Sequence, residues 1–279
     1  MRDVQGERDL RNIPIDRVGV RNVHYPVFVM DPSRGEVGSR EQPTVATVSM
    51  SVLLPHEYRG THMSRFIETL EEYHGRISPA SLQAITRRLC EKLEASESTL
   101  RFDFPYFIRK RAPISNSESF MRYEVSLEAS SRGDLIVGVG VPVQTLCPCS
   151  REISEHGAHN QRAFVSIRVR CDVHGGTRAD GGAGGARLPS ASGLVWFEEL
   201  ICMAEESASA PLFTLLKRED EKYVTEQAYE KPKFVEDVVR DLALQLDAEP
   251  RITWYEVSVV SSESIHNHDA FAEIVRDKR

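Results

Sequence analysis

The chain has 279 residues, 41% of them hydrophobic, and a formal charge of −7 from 35 basic and 42 acidic side chains. That is enough apolar material for a real core, in one large or two modest domains. The acidic balance excludes a nucleic-acid-binding surface over the whole protein but leaves room for a local basic pocket that takes a small polyanion.

No apolar run approaches the ~20 residues of a membrane helix, and Met1-Arg-Asp-Val-Gln-Gly-Glu7 has no signal-peptide core, so a cytoplasmic protein with no membrane partner is expected. Its five cysteines then read as thiols or ligands rather than disulfides. Residues 1–42 are polar and proline-dotted, with Val23–Met30 as a short apolar strand or strap. The first dozen residues read as disordered. Thr44–Leu54 is β-branched and apolar, a strand. Gly60-Thr-His-Met-Ser-Arg-Phe66 opens a helix to about Tyr73. Ser78-Pro79 is an N-cap with proline at the first helical position. Leu82, Ile85, Leu89 and Leu93 form one face of the helix that follows. Thr99–Ile108 and Arg122–Glu128 alternate apolar and charged residues and read as strands.

In the second half, Asp134–Val143 and Phe164–Val173 read as strands. The stretch between them is Leu146-Cys-Pro-Cys-Ser-Arg-Glu-Ile-Ser-Glu-His-Gly-Ala-His-Asn160. Pro148 favours a sharp exit from the sheet. Cys147 and Cys149, two apart on an extended segment, can point the same way. Thiolate and imidazole together suit a borderline-soft divalent metal such as zinc. Either Cys147, Cys149, His156 and His159 close a structural zinc site, or one cysteine ligates and the other is a thiol free for chemistry. His174–Pro189 is glycine-rich and reads as a flexible insertion. Phe197–Ala208 and Val235–Leu246 carry helical apolar faces, and Arg251–Val260 and Ala270–Val275 read as strands. The order strand, strand, helix, helix, strand, strand fits an α+β module, an antiparallel sheet with a helix pair on one face. The first half shows the same order less clearly.

Several segments together resemble one family. Cys147-Pro-Cys-Ser150 with Gly157-Ala-His-Asn-Gln161 is similar to the type IB GTP cyclohydrolases. So are Tyr58-Arg-Gly-Thr-His-Met-Ser-Arg-Phe66, Leu216-Lys-Arg218 with Glu221-Lys-Tyr-Val-Thr-Glu226, Pro232-Lys-Phe-Val-Glu-Asp237 and Glu263-Ser-Ile-His-Asn-His268. The resemblance runs from about Val45 to Ala272. It implies two tandem tunnelling-fold modules, residues 44–130 and 131–279, after an N-terminal extension 1–43. It also implies a homo-oligomer, a tetramer with active sites at subunit interfaces. The implied reaction is GTP plus water to formate and 7,8-dihydroneopterin triphosphate, feeding folate or deazapurine pathways.

Opening guanine at C8 requires an activated water, proton donors and acceptors, and an anchor for the base. The resemblance implies a divalent metal (zinc, manganese or iron(II)) on Cys147, His159 and Glu221, with Cys149 as a catalytic thiol. Glu236 is the candidate anchor, because a carboxylate accepts two parallel hydrogen bonds from N1–H and the exocyclic amine. His266, with Glu263 orienting it or the metal, is the candidate proton shuttle. His62, Arg65, Lys217 and Arg218 are candidate triphosphate cations. Two other readings stay open: the closed structural zinc site, and a deazaguanine nitrile reductase of the same fold, which would use a nicotinamide and no metal.

Overall fold

The computed structural model describes residues 5–30, 41–171 and 193–279. The glycine-rich insertion 174–189 lies outside the described residues. The described residues divide into two compact units: 5–30, 41–105, 126–136 and 193, and 106–125, 137–171 and 194–279.

The first unit is built on β1 (Ile15–Met30) and β2 (Glu41–Leu54), a long antiparallel pair with irregular register near Ile15/Val18 and Val20/Val23. The apolar island at 23–30 is therefore only the C-terminal half of a strand. Its N-terminal half is exposed and carries no period-2 pattern to read. β3 (Arg76–Ile77) adds in parallel to β1, and β2 pairs antiparallel with β4 (Ser98–Arg111). Helices α1 (Met63–Glu71) and α2 (Pro79–Leu93) bury Phe66, Leu70, Leu82, Ile85 and Leu89, while β2 and β4 bury Val48, Met50, Leu100 and Phe102. α2 starts as its sequence requires. Ser78 caps it, with Ser81 N–H donating to Ser78 Oγ at 3.2 Å and Ser78 N–H to Ser81 Oγ at 2.7 Å, and Pro79 follows. Residues 5–12, expected to be disordered, include an isolated bridge between Arg8 and Tyr58 and an Asp9 N–H to Glu57 O hydrogen bond.

The second unit holds the C-terminal part of β4, the N-terminal part of β5 (Glu118–Ser130), and β6 (Leu135–Leu146), β7 (Asn160–Cys171), β9 (Ile252–Ser262) and β10 (Asp269–Asp277), in the order β4-β5-β6-β7-β9-β10. The two-residue β8 (Ala210–Pro211) pairs with the end of β6. Val165, Ile167 and Val169 on β7 and Tyr255, Val257 and Val259 on β9 are buried on one sheet face. Helix α6 (Val235–Ala248) packs on β9 and against α4 (Phe197–Ser207), burying Val238, Leu242 and Leu246. Period-2 alternation supplied the sheet face and 3.6-period alternation the helix face.

Two elements differ from expectation. Cys147–Ser150 is not extended: Pro148–Ile153 forms the short helix α3, with Cys147 as its N-cap residue and Pro148 at N1. Residues 218–230 form a helix, α5 (Arg218–Glu230), that hydrophobic periodicity misses. Its buried apolar stripe is only Val224 and Ala228, packed with Leu146 and Ala210.

Candidate functional site

β6 ends at buried Leu146, and the chain leaves the sheet at Cys147. Three hydrogen bonds hold this exit. Leu146 N–H donates to Ser209 Oγ (3.1 Å), Lys233 N–H to Leu146 O (3.0 Å) and Cys147 N–H to His159 O (3.1 Å). Ser150 staples the loop further. Its hydroxyl donates to Cys147 O at 3.1 Å and accepts His159 N–H at 3.2 Å, and its own N–H points at Cys147 Sγ at 3.4 Å. Cys147 and His159 are thus held side by side, both partly buried.

They line a cavity of about 400 Å³ in the second unit. Glu236, in the first turn of α6, lies on its wall, as do Glu263 and His266 from the β9–β10 connection. The α6 N-terminus favours a carboxylate there. His159 Nδ1 lies 3.1 Å from Gln161 Oε1, and Gln161 Nε2 donates to Glu263 Oε1 at 3.3 Å. The His266 ring stands edge-on to His159, centroids 6.4 Å apart, and stacks on His268 at 5.3 Å. Five residues expected from sequence (Cys147, His159, Glu236, Glu263, His266) therefore share one cavity.

The others lie elsewhere. Cys149 is exposed on α3 and does not line the cavity. Glu221 is exposed in the first turn of α5, and Lys217 and Arg218 are exposed at the start of that helix, outside the cavity. α5 rises about 10 Å between Glu221 and Ala228, the residue packed beside Leu146. His62 and Arg65 line a smaller cavity of about 160 Å³ in the first unit, where Arg65 Nη1 donates to Lys92 O at 2.8 Å. Among the described residues no three His, Cys, Asp or Glu side chains converge as ion donors. The closed site on Cys147, Cys149, His156 and His159 is therefore not formed, with Cys149 and His156 both exposed.

The lining residues not anticipated from sequence include Gln161, Lys233 and Phe271. Lys233 brings a cation to the cavity wall, ion-paired with Asp241. Phe271 is 75% exposed, the far end of an apolar row in which Phe164 pairs with Val260 and Val260 with Phe271 across β7, β9 and β10. Gln161 and Lys233 lie in motifs already read from sequence, close to His159 and Glu236, and that proximity was their signal; Phe271 needs the strand register to be seen.

The donor set fits a borderline-soft metal in part. A thiolate and an imidazole are held together, and the Gln161 amide oxygen lies 3.1 Å from the ring's Nδ1, on the side away from Nε2. Glu236, Glu263, His266 and His268 also line the cavity, but among the described residues no third side chain converges with these two.

A family model described as type I GTP cyclohydrolase folE2 matches residues 1–272. The chain is 48% identical over 280 residues to a protein named GTP cyclohydrolase FolE2 from Thermosipho africanus, covering 99% of this chain and 98% of that one. It is 46% identical over 281 residues to the GTP cyclohydrolase FolE2 of Geobacter sulfurreducens, covering 100% and 99%. Among solved structures, the chain is similar to urate oxidase from Bacillus subtilis 168 (TM-score 0.52, 11% identity, 94% of this chain and 98% of that one). It is also similar to a uricase from Bacillus fastidious (TM-score 0.52, 9% identity, 95% and 94%). At such identity the likeness concerns the fold alone, and the fold is the tunnelling fold expected from sequence.

Proposed function

The chain belongs to the FolE2 family of type I GTP cyclohydrolases, and on that premise we propose that the cavity of the second unit is where it hydrolyses GTP to formate and 7,8-dihydroneopterin triphosphate. The comparisons give the family as FolE2, not the type IB group named from the motifs. One observation carries the reading: a single cavity gathers Cys147, His159, Glu236, Glu263 and His266, residues from motifs spread over more than a hundred positions.

Glu236 accepts the guanine N1–H and exocyclic amine, which orients the imidazole ring of the base. His266, with Glu263 in the same cavity, moves protons to and from the ring nitrogens as two waters add at C8, the C8–N9 and C8–N7 bonds open and C8 leaves as formate. One water returns when the rearranged ribose carbon closes onto the freed N7 amine to form the dihydropterin ring. Cys147 and His159 hold a divalent metal, which when bound supplies Lewis-acid activation of water. Glu221, exposed on α5, supplies the third donor from a neighbouring copy of the chain, so that the site is completed in a homo-oligomer. Cys149 works beside the metal as a thiol. Lys217, Arg218, His62 and Arg65 remain the proposed triphosphate cations, joined by Lys233 from the cavity wall. The exposure of Glu221 and Cys149 supports an interfacial arrangement, since both sit on surface that a second copy can cover.

The test is incubation of purified protein with GTP and each of Zn²⁺, Mn²⁺ and Fe²⁺, following formate and the oxidised pterin fluorophore. Release of both, abolished by chelation and restored by metal, is expected. GTP recovered intact with every metal would sink the proposal.

A further inference from the structure

We propose that Gln161 is a positioning residue of this cavity: its side-chain amide sets the tautomer of the His159 ring and couples that ring to Glu263. The inference rests on reading His159 as a metal donor. The topology brings the three together. His159 immediately precedes β7 and Gln161 is its second residue, two positions on, and their side chains meet on one side of the chain. β7 and β9 pair antiparallel with Ala163 opposite Ser261. Continuing that register by two residues sets Gln161 opposite Glu263.

The amide is used at both ends. Its carbonyl oxygen lies 3.1 Å from His159 Nδ1, and its NH₂ donates to Glu263 Oε1 at 3.3 Å. A carbonyl only accepts and an NH₂ only donates. The carboxylate of Glu263 therefore decides which end of the amide faces the imidazole, because the flipped amide would set oxygen against oxygen. With the carbonyl facing the ring, Nδ1 must carry the proton and Nε2 keeps its lone pair, the form an imidazole needs to bind a metal. Ser264 Oγ lies 3.5 Å from the same nitrogen and is the longer, weaker partner. Glu263 thus reaches His159 without touching it.

The experiment is competition of the full-length protein with a chromophoric chelator for Co²⁺, whose absorption also reports the Cys147 thiolate. The variants are His159→Ala, Gln161→Leu, Gln161→Met and Gln161→Glu, each with a thermal melt. Both apolar replacements should weaken Co²⁺ by about 10- to 100-fold at unchanged melting temperature. Gln161→Glu keeps an acceptor opposite Nδ1 but loses the N–H to Glu263, so it should weaken Co²⁺ less than the apolar replacements do. Parental affinity in Gln161→Leu or Gln161→Met, with His159→Ala weakened, would overturn the inference alone. Equal loss in the apolar and Glu variants would also overturn it, by showing that an acceptor opposite Nδ1 contributes nothing. His159→Ala binding as tightly as the parent would overturn the reading of His159 as a donor and the inference with it.

Discussion

Asp220 is fully buried against Ser115: its Oδ2 accepts the Ser115 hydroxyl at 2.6 Å and its Oδ1 the Ser115 N–H at 2.8 Å. The same carboxylate accepts Ile114 N–H at 2.9 Å and Lys217 N–H at 2.8 Å. One side chain therefore caps α5 and ties its start to the β4–β5 connection. Glu219 and Glu221 on either side face solvent.

Burial pushes the Asp220 carboxyl up, but the hydrogen bonds from Ser115, Lys217 and Ile114 outweigh it and hold the group well below the usual carboxylate range. A lowered carboxyl stabilises the fold above its unfolded pKa of about 4, and that stabilisation is lost as pH falls through the folded-state value. Asp220→Asn should lower the melting temperature at pH 7 by about 5 °C or more and flatten the acid limb of the stability curve. Calorimetry between pH 3 and 7 checks both. Parallel curves for parent and variant would mean the carboxylate charge contributes nothing.

Glu236→Gln should weaken guanine recognition, since an amide cannot present two acceptors. The loss of a charge-assisted pair corresponds to roughly one to two decades in kcat/KM for GTP. Steady-state formate release measures it, and unchanged kinetics would return Glu236 to an ordinary exposed helix position.

The two cysteines should separate. Cys147→Ala is expected to lose both bound metal and turnover, because the residue is stapled beside His159 in the cavity. Cys149→Ala is expected to keep metal and fold but lose turnover, because the proposed donors Cys147, His159 and Glu221 would already be three and a catalytic metal needs its fourth position for water. Plasma emission on both purified variants decides it. Equal metal loss in the two would show that Cys149 is itself a ligand.

Gly19→Ala should destabilise the first unit by about 1–3 kcal/mol through overpacking. A Cβ at Gly19 would lie 2.0 Å from Met50 O and 2.7 Å from Ser51 Cα, both backbone atoms of β2 that cannot swing aside. Urea unfolding gives the number. A midpoint equal to the parent's would show that β1 shifts freely at this irregular stretch of its register.

Sequence motifs by themselves pointed to a GTP cyclohydrolase I and to the tunnelling fold, with the comparisons giving the family as FolE2 rather than the type IB name the motifs suggested. The sequence identified the strands and helices whose apolar residues repeat every two or 3.6 positions. It also named five of the residues that share the cavity. Each of those carries reactive chemistry, a thiol, an imidazole or a carboxylate, inside a recognisable local motif. Only the tertiary structure decided the rest, because those facts depend on contacts that local patterns do not encode. Gln161 and Glu263 meet across 102 positions of sequence, through the β7–β9 register. Lys233 enters the cavity because its backbone is tied to Leu146 at the end of β6. Helix α5 has too thin an apolar stripe to register as periodic, and it stands because Asp220 anchors its first turn to Ser115. In the run Glu219-Asp-Glu221 the three carboxylates look alike as sequence. Burial distinguishes them, since only the middle one finds enough donors to offset leaving water.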